Sequence, residues 1–65
     1  MMVERLLTPR EVAAILSVST AWVLEHGGRR RPHLPAVRLG KVVRYRRSDV
    51  EEFIQECARL SGAIS

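Results

Sequence analysis

The chain has 65 residues, a formal net charge of +4 and one cysteine. This length is enough for one small domain over residues 1–65, with a modest core and marginal expected stability. A lone cysteine excludes an internal disulfide, and the start of the chain has no secretory signal pattern, so we expect a reducing compartment. No apolar run reaches the roughly 18 residues that a membrane span requires.

After a lead-in over residues 1–7, the chain predicts a first short helix over residues 9–16. Thr8 is a suitable N-cap, Pro9 suits the first helical position, and Glu11 completes a capping box. Leu7 before the cap and Val12 inside the helix are spaced as a hydrophobic staple. The start of this helix is therefore specified by local sequence.

Residues 17–19, Ser-Val-Ser, predict a tight turn into a second helix over residues 20–26. Ser19 is a suitable N-cap for that helix, and the Gly27-Gly28 pair is expected to end it with a left-handed glycine cap. Val18 and Val23 are expected to point back at the first helix. This spacing is typical of a helix-turn-helix, whose second helix enters the major groove of DNA.

The outer face of the second helix is the predicted site of base reading. The candidate residues are Ser19, Thr20, Ala21, Trp22, Leu24 and Glu25. Hydroxyl groups can bond phosphates or base edges, and a small methyl group can meet thymine. Glu25 either accepts from cytosine or repels phosphate, and Trp22 either packs on the core or contacts DNA. Both alternatives stay open in the sequence.

Residues 27–35 predict a loop, because three adjacent arginines repel one another and the flanking Gly and Pro residues disfavour regular structure. Arg29, Arg30 and Arg31 form either an arm that grips phosphates or a linker without fixed contacts. Eight of the eleven basic residues lie between positions 26 and 48, where there is no acid. Beside a helix-turn-helix, such a segment indicates nucleic-acid binding, although it also suits a solvated surface.

Residues 36–47 alternate between apolar and basic side chains, which predicts a β-hairpin with Gly40 and Lys41 at the turn. The expected core-facing side carries Val37, Leu39, Val43 and Tyr45. The expected outer side presents the remaining cations to phosphates, with Lys41 at the tip: Arg38, Arg44 and Arg46. A hairpin of two strands is not stable alone, so it should lean on the helices as a wing.

The last helix is predicted to begin with a second capping box at residues 48–51. Its apolar stripe is expected to face the helix-turn-helix, with Phe53 beside Tyr45. The stripe consists of Val50, Phe53, Ile54 and Cys57. Gly62 is expected to end this helix, and residues 62–65 to form a frayed tail.

No catalytic, metal-binding or cofactor-binding residues are predicted. His26, His33 and Cys57 match no zinc-ligand spacing. The chain also has no nucleophile–base set and no phosphate-cradling glycine motif, so we do not expect an enzyme.

The order of these segments resembles a known family. The segments LLTPREVAAILSVS, LPAVRLG, VRYRR and SDVEEFI follow one another over about residues 6–55. In this order they resemble the small excisionase-type, MerR-like winged helix-turn-helix domains. The resemblance implies an α+β, mainly helical fold and a non-enzymatic protein that binds and bends double-stranded DNA. The chain departs from the family at His26, a position that is usually apolar.

The resemblance also implies partners and a location. Some members bind repeated sites in phages and mobile elements and help a tyrosine integrase to excise DNA, and others are small transcriptional regulators. The implied location is the bacterial cytoplasm, in association with the nucleoid. We further expect head-to-tail contacts on DNA, in which acids of residues 49–56 face the arginines of residues 29–31 in the next protomer. A third alternative is an adaptor whose acidic last helix binds a protein.

Overall fold

The computed structural model describes residues 5–28 and 30–62 and confirms the predicted α+β, mainly helical winged helix-turn-helix. Its elements are α1 (Pro9–Leu16), α2 (Thr20–His26), β1 (Val37–Leu39), β2 (Val42–Arg44) and α3 (Arg47–Leu60). The bounds of α1 and α2 agree with the predicted ones. Arg29, residues 1–4 of the lead-in and residues 63–65 of the tail lie outside the described residues.

Side-chain caps fix the starts of α1 and α2, as predicted. The Thr8 hydroxyl accepts from the Glu11 backbone N–H at 3.0 Å, and the Glu11 carboxylate accepts from the Thr8 N–H at 2.8 Å. Ser19 caps α2 by accepting from the backbone N–H of Trp22 at 3.0 Å. Each bond satisfies an N–H group that has no partner within its helix, so the positions of both helices follow from local hydrogen bonding.

The capping box should make stability depend on acid pH through Glu11. The backbone hydrogen bond from Thr8 is the main cause that holds the pKa of Glu11 below its ordinary value of 4.5. A lowered folded-state pKa contributes stability that is complete above the unfolded value and is lost as the pH falls through the folded value. Glu11→Gln keeps a capping amide but removes the titration. Melts recorded from pH 7 down to about pH 3 should therefore show a parent advantage that shrinks only below 4.5. Parallel pH profiles for the two proteins would contradict this assignment.

Helix α2 ends at Gly27 as predicted, but the left-handed glycine cap predicted at Gly27-Gly28 was wrong, and the left-handed residue of the helix-turn-helix is Ser17. Ser17 ends α1 with φ 59° and ψ 44°, whereas Gly27 has φ −81° and ψ −11°. The Gly27 N–H donates to the Leu24 carbonyl at 3.1 Å, and the Gly28 N–H to the Glu25 carbonyl at 3.0 Å. Right-handed turns thus satisfy the end of α2, and no reversal of handedness is needed there.

The hairpin is tied to the lead-in by a pairing that the sequence did not predict. Strands β1 and β2 pair antiparallel, and Gly40 takes a positive φ of 68° at the predicted turn. Leu7 and Tyr45 exchange two backbone hydrogen bonds of 2.8 Å. The segment before α1 therefore holds the end of the hairpin against the helices.

Helix α3 begins directly from the hairpin, so the predicted second capping box was wrong. Arg46 is the N-cap and makes no side-chain capping bond. Its carbonyl accepts from the Val50 N–H at 3.1 Å, which starts the helix before Ser48 can act as a cap. The hydroxyl of Ser48 lies in the first turn instead. At the other end, Gly62 follows the C-cap with φ 65°, as predicted.

The core joins the three helices to the segment before α1, to the loop after α2 and to the end of the hairpin. Its buried apolar residues are Leu7, Val12, Ala13, Val23, Leu34, Tyr45, Val50 and Phe53. The α3 stripe enters this core only in part, since Ile54 remains 41% exposed and Cys57 is half-buried. Within residues 5–28 and 30–62, no helix has the length and apolar character needed to cross a membrane.

Candidate nucleic-acid interface

Five of the six candidate residues on α2 lie on its solvent-facing side. Val23 is completely buried against the core, so the opposite side of this short helix faces outward. The exposed candidates are Ser19, Thr20, Ala21, Leu24 and Glu25. This exposed face offers hydroxyl, methyl and carboxylate groups, which are the groups that read base edges in a major groove.

Trp22 packs on the core side of α2. Its ring stacks on His26 with centroids 3.8 Å apart and meets the ring of Phe53 edge-on at 5.9 Å. Aromatic pairs in these geometries stabilise a fold beyond the area they bury. Of the two alternatives for Trp22, the structure shows the packing one, and its ring is not part of the exposed face.

His26 occupies an inner position of α2 that sequence reasoning treated as a departure from an apolar site. The side chain is only 4% exposed. Its Nδ1 lies 3.0 Å from the Trp22 carbonyl oxygen, and its ring meets Phe53 edge-on at 5.7 Å. Stacking and one backbone hydrogen bond therefore allow a histidine to replace an aliphatic residue here, since buried polar groups require partners.

The basic loop is anchored at its far end. Leu34 is completely buried, and its N–H donates to the His26 carbonyl at 2.9 Å. Sequence reasoning missed this residue, although an apolar side chain within an otherwise polar, proline-containing loop was a usable signal. Arg30 and Arg31 are exposed between the end of α2 and Leu34, whereas Arg29 lies outside the described residues.

Arg30 also approaches the exposed face of α2. Its Nη1 lies 3.9 Å from Glu25 Oε1, and both side chains are more than half exposed, at 63% and 60%. An exposed pair at this distance contributes little to stability because water and salt screen it. Both groups therefore remain free to take other partners at little cost.

The wing arginines do not share one face, contrary to the prediction. In the observed register Arg38 pairs with Val43, Val37 with Arg44, and Leu39 with Val42. Directly opposed residues of an antiparallel pair project from the same side of the sheet, so Arg38 and Arg44 lie on opposite sides. The reason is the two-residue turn, which pairs odd positions of β1 with even positions of β2.

Arg38 lies on the side of the wing that faces the end of α2. An open notch of about 100 Å³ separates them. It is lined by Leu24, Gly27, Gly28, Ala36, Arg38, Val43 and Tyr45. Arg38 is exposed there, so its guanidinium can reach phosphates that border the groove entered by α2.

Arg44 is placed differently. It is half-buried, and its Nη1 donates to the Val43 carbonyl at 2.8 Å. After the Thr8 hydrogen bond and the charge of Arg5, the charge of Arg44 also helps to lower the pKa of Glu11. Arg44 therefore lies toward the start of α1, away from the α2 end of the wing.

Two further cations belong to the basic surface. Lys41 is exposed in the hairpin turn, and Arg46 is exposed at the N-cap of α3. Two residues predicted to face the core, Val37 and Leu39, instead share the outer side of the hairpin with Arg44 and Val42. Leu39 is 52% exposed and does not reach the core.

Two short helices joined by a tight turn, with a hairpin beside the exposed second helix, define a winged helix-turn-helix DNA-binding protein. The family model described as "Helix-turn-helix domain" matches residues 6–58, and the chain belongs to that family. No curated protein matches the chain, and no solved structure does.

Proposed function

We propose that residues 1–65 form one domain that binds and bends duplex DNA as an accessory factor of site-specific recombination, in the manner of an excisionase. The observation that carries this proposal is the exposed face of α2 with Arg38 at its end. Membership of the helix-turn-helix family supports it, because that family includes excisionase-like small DNA-binding proteins. In this proposal the factor is non-enzymatic and acts through a tyrosine integrase.

In this proposal the exposed face of α2 reads bases and the basic surface grips phosphates. Ser19 and Thr20 bond phosphate or base edges, while Ala21 and Leu24 meet apolar edges such as thymine methyls. The cations that contact phosphates are Arg29, Arg30, Arg31, Arg38, Lys41 and Arg46. Trp22 and Arg44 hold α2 and the wing in place. When DNA is bound, Glu25 leaves its ion pair with Arg30 and accepts a hydrogen bond from a base.

Cooperative binding at adjacent sites supplies the affinity that one copy lacks. A module of this size covers about 600–1,000 Å² of protein surface on DNA, which is little against a genome of competing sites. The acids at residues 49, 51, 52 and 56 of one copy face the arginines at residues 29–31 of the next. Such a head-to-tail contact extends along DNA without closing into a dimer.

The experiment that tests the function is a footprint on DNA flanking the gene, followed by an excision assay with the integrase encoded nearby. We expect protection of several adjacent repeats and excision that depends on the protein. Gel shifts on templates with one, two and three repeats should show cooperative loading by a protein that sediments as a monomer. Protection of a single promoter site without any effect on excision would favour a transcriptional regulator of the same fold.

Thr20→Ala should reduce sequence preference more than general DNA affinity. Thr20 is exposed in the first turn of α2, so its loss should leave the fold intact. A lost base contact costs about 1–3 kcal/mol of discrimination, whereas binding to unrelated duplexes depends on phosphates. Titrations with a specific and an unrelated duplex measure the ratio. An unchanged ratio would remove Thr20 from the reading face.

A further inference from the structure

The tip of the wing carries an exposed aliphatic pair. Leu39 and Val42 oppose each other on the last rung before the turn and are 52% and 43% exposed. Gly40 between them has only open space around it, since a Cβ placed there would meet no atom within 4 Å. The tip of the hairpin around the pair is therefore open to solvent.

The fold does not use this pair. The hairpin is anchored by Tyr45, which is 1% exposed, and by Val43, which packs against the core. Single exposed aliphatic residues are ordinary on protein surfaces, but here two are adjacent and bordered by cations. Arg38 precedes Leu39, and Lys41 precedes Val42.

We propose that Leu39 and Val42 act as a wedge that enters the minor groove beside the site read by α2 and partly unstacks one base step. This inference rests on the proposed DNA-binding and bending function and names the residues that produce the bend. Insertion of aliphatic side chains between bases kinks a duplex toward the major groove. Lys41 and Arg38 hold the phosphates that border the narrowed groove, and the wedge prefers the easily unstacked pyrimidine–purine steps.

The surroundings of the pair favour DNA over a protein partner. Two aliphatic side chains offer far less area than a stable protein interface requires. The charges next to the pair in sequence, at residues 38 and 41, are both positive, which complements a polyanion. Because the pair forms the last rung of the hairpin, entry of the tip brings both side chains against the base edges.

The test compares Leu39→Ala/Val42→Ala with the parent protein on a duplex that holds one site. Energy transfer between dyes at the duplex ends reports the bend, and 2-aminopurine placed at each step beside the site reports unstacking. We expect the variant to bind within about threefold of the parent, because phosphate contacts dominate affinity. It should lose most of the bend and the 2-aminopurine signal, while its thermal melt stays unchanged.

Two further variants make the test specific. Ile15→Ala/Leu60→Ala removes two aliphatic side chains that are 51% and 58% exposed on α1 and α3, away from the tip, and should bend DNA as the parent does. Leu39→Ile/Val42→Ile keeps the wedge and should retain the bend.

The outcomes separate the wedge from the function on which it rests. An alanine variant that bends DNA as the parent does overturns the wedge alone. A parent that binds its site without bending it overturns both the wedge and the bending part of the proposed function. Normal bending of one site combined with lost loading on two sites would make the tip a protein contact and overturns the wedge as well. Failure of the parent to bind any duplex would instead overturn the proposed function.

Discussion

Phe53→Ala is expected to lower the free energy of unfolding by about 3–5 kcal/mol, the usual cost of removing a buried aromatic ring. Phe53 is 4% exposed and meets the rings of His26 and Trp22 edge-on at 5.7 and 5.9 Å. The substitution removes these contacts and leaves a cavity between α3 and α2. A typical stability of about 0.05–0.15 kcal/mol per residue gives this chain about 3–10 kcal/mol in total. The variant should therefore lose a large share of its stability and melt at a much lower temperature than the parent.

Thermal and urea unfolding followed by circular dichroism measure this effect. The matched control is Ile54→Ala, the next position on α3, because Ile54 is 41% exposed. That change should cost less than about 1 kcal/mol, since partly exposed side chains lose little burial. A cooperative melt of Phe53→Ala near the parent's midpoint would show that Phe53 does not hold the core together.

Features set by neighbouring residues could be predicted from the sequence. The caps by Thr8 and Ser19 involve groups three residues apart, so the sequence alone located the starts of α1 and α2. Gly40 at the turn of the hairpin was equally local, because a positive φ favours glycine.

Features set by tertiary contacts could not be predicted. The pairing of Leu7 with Tyr45 joins distant segments through backbone atoms, which leave no side-chain pattern. The start of α3 was misjudged for a related reason. Ser48 is a good local cap, but the backbone of Arg46, just after β2, is extended and acts as the N-cap, so the helix starts earlier.

In the candidate site, too, local features could be predicted and features set by contacts between distant segments could not. Exposure of the α2 face followed from the positions of Val18 and Val23, but the packing of Trp22 depends on His26 and Phe53. The wing faces were misassigned because alternation holds within each strand, while the register across the turn decides which positions share a side. Only the pairing of Arg38 with Val43 separates Arg38 from Arg44.

Because Arg38 lies on the α2 side of the wing, its removal together with Lys41 is expected to weaken DNA binding strongly. Arg38→Ala/Lys41→Ala removes two exposed cations at the α2 side and the tip of the wing. Each lost phosphate contact lowers the slope of log K against log salt by about 0.9. Loss of two contacts lowers the logarithm of the binding constant by about 1.8 at 0.1 M salt, which is roughly 60-fold weaker binding to specific and unrelated duplexes alike.

The matched control is Arg44→Ala/Arg59→Ala, which removes the same net charge from other parts of the surface. Arg44 is half-buried and bonded to the Val43 carbonyl, and Arg59 is paired with Glu56 at 2.6 Å near the end of α3. Neither guanidinium lies beside α2, so this variant should lose much less affinity and keep most of the salt slope. Titrations at several salt concentrations give both slopes, and thermal melts establish that each variant is folded. Equal losses in the two variants would mean that net charge, and not the position of Arg38 and Lys41 beside α2 and at the tip, governs binding.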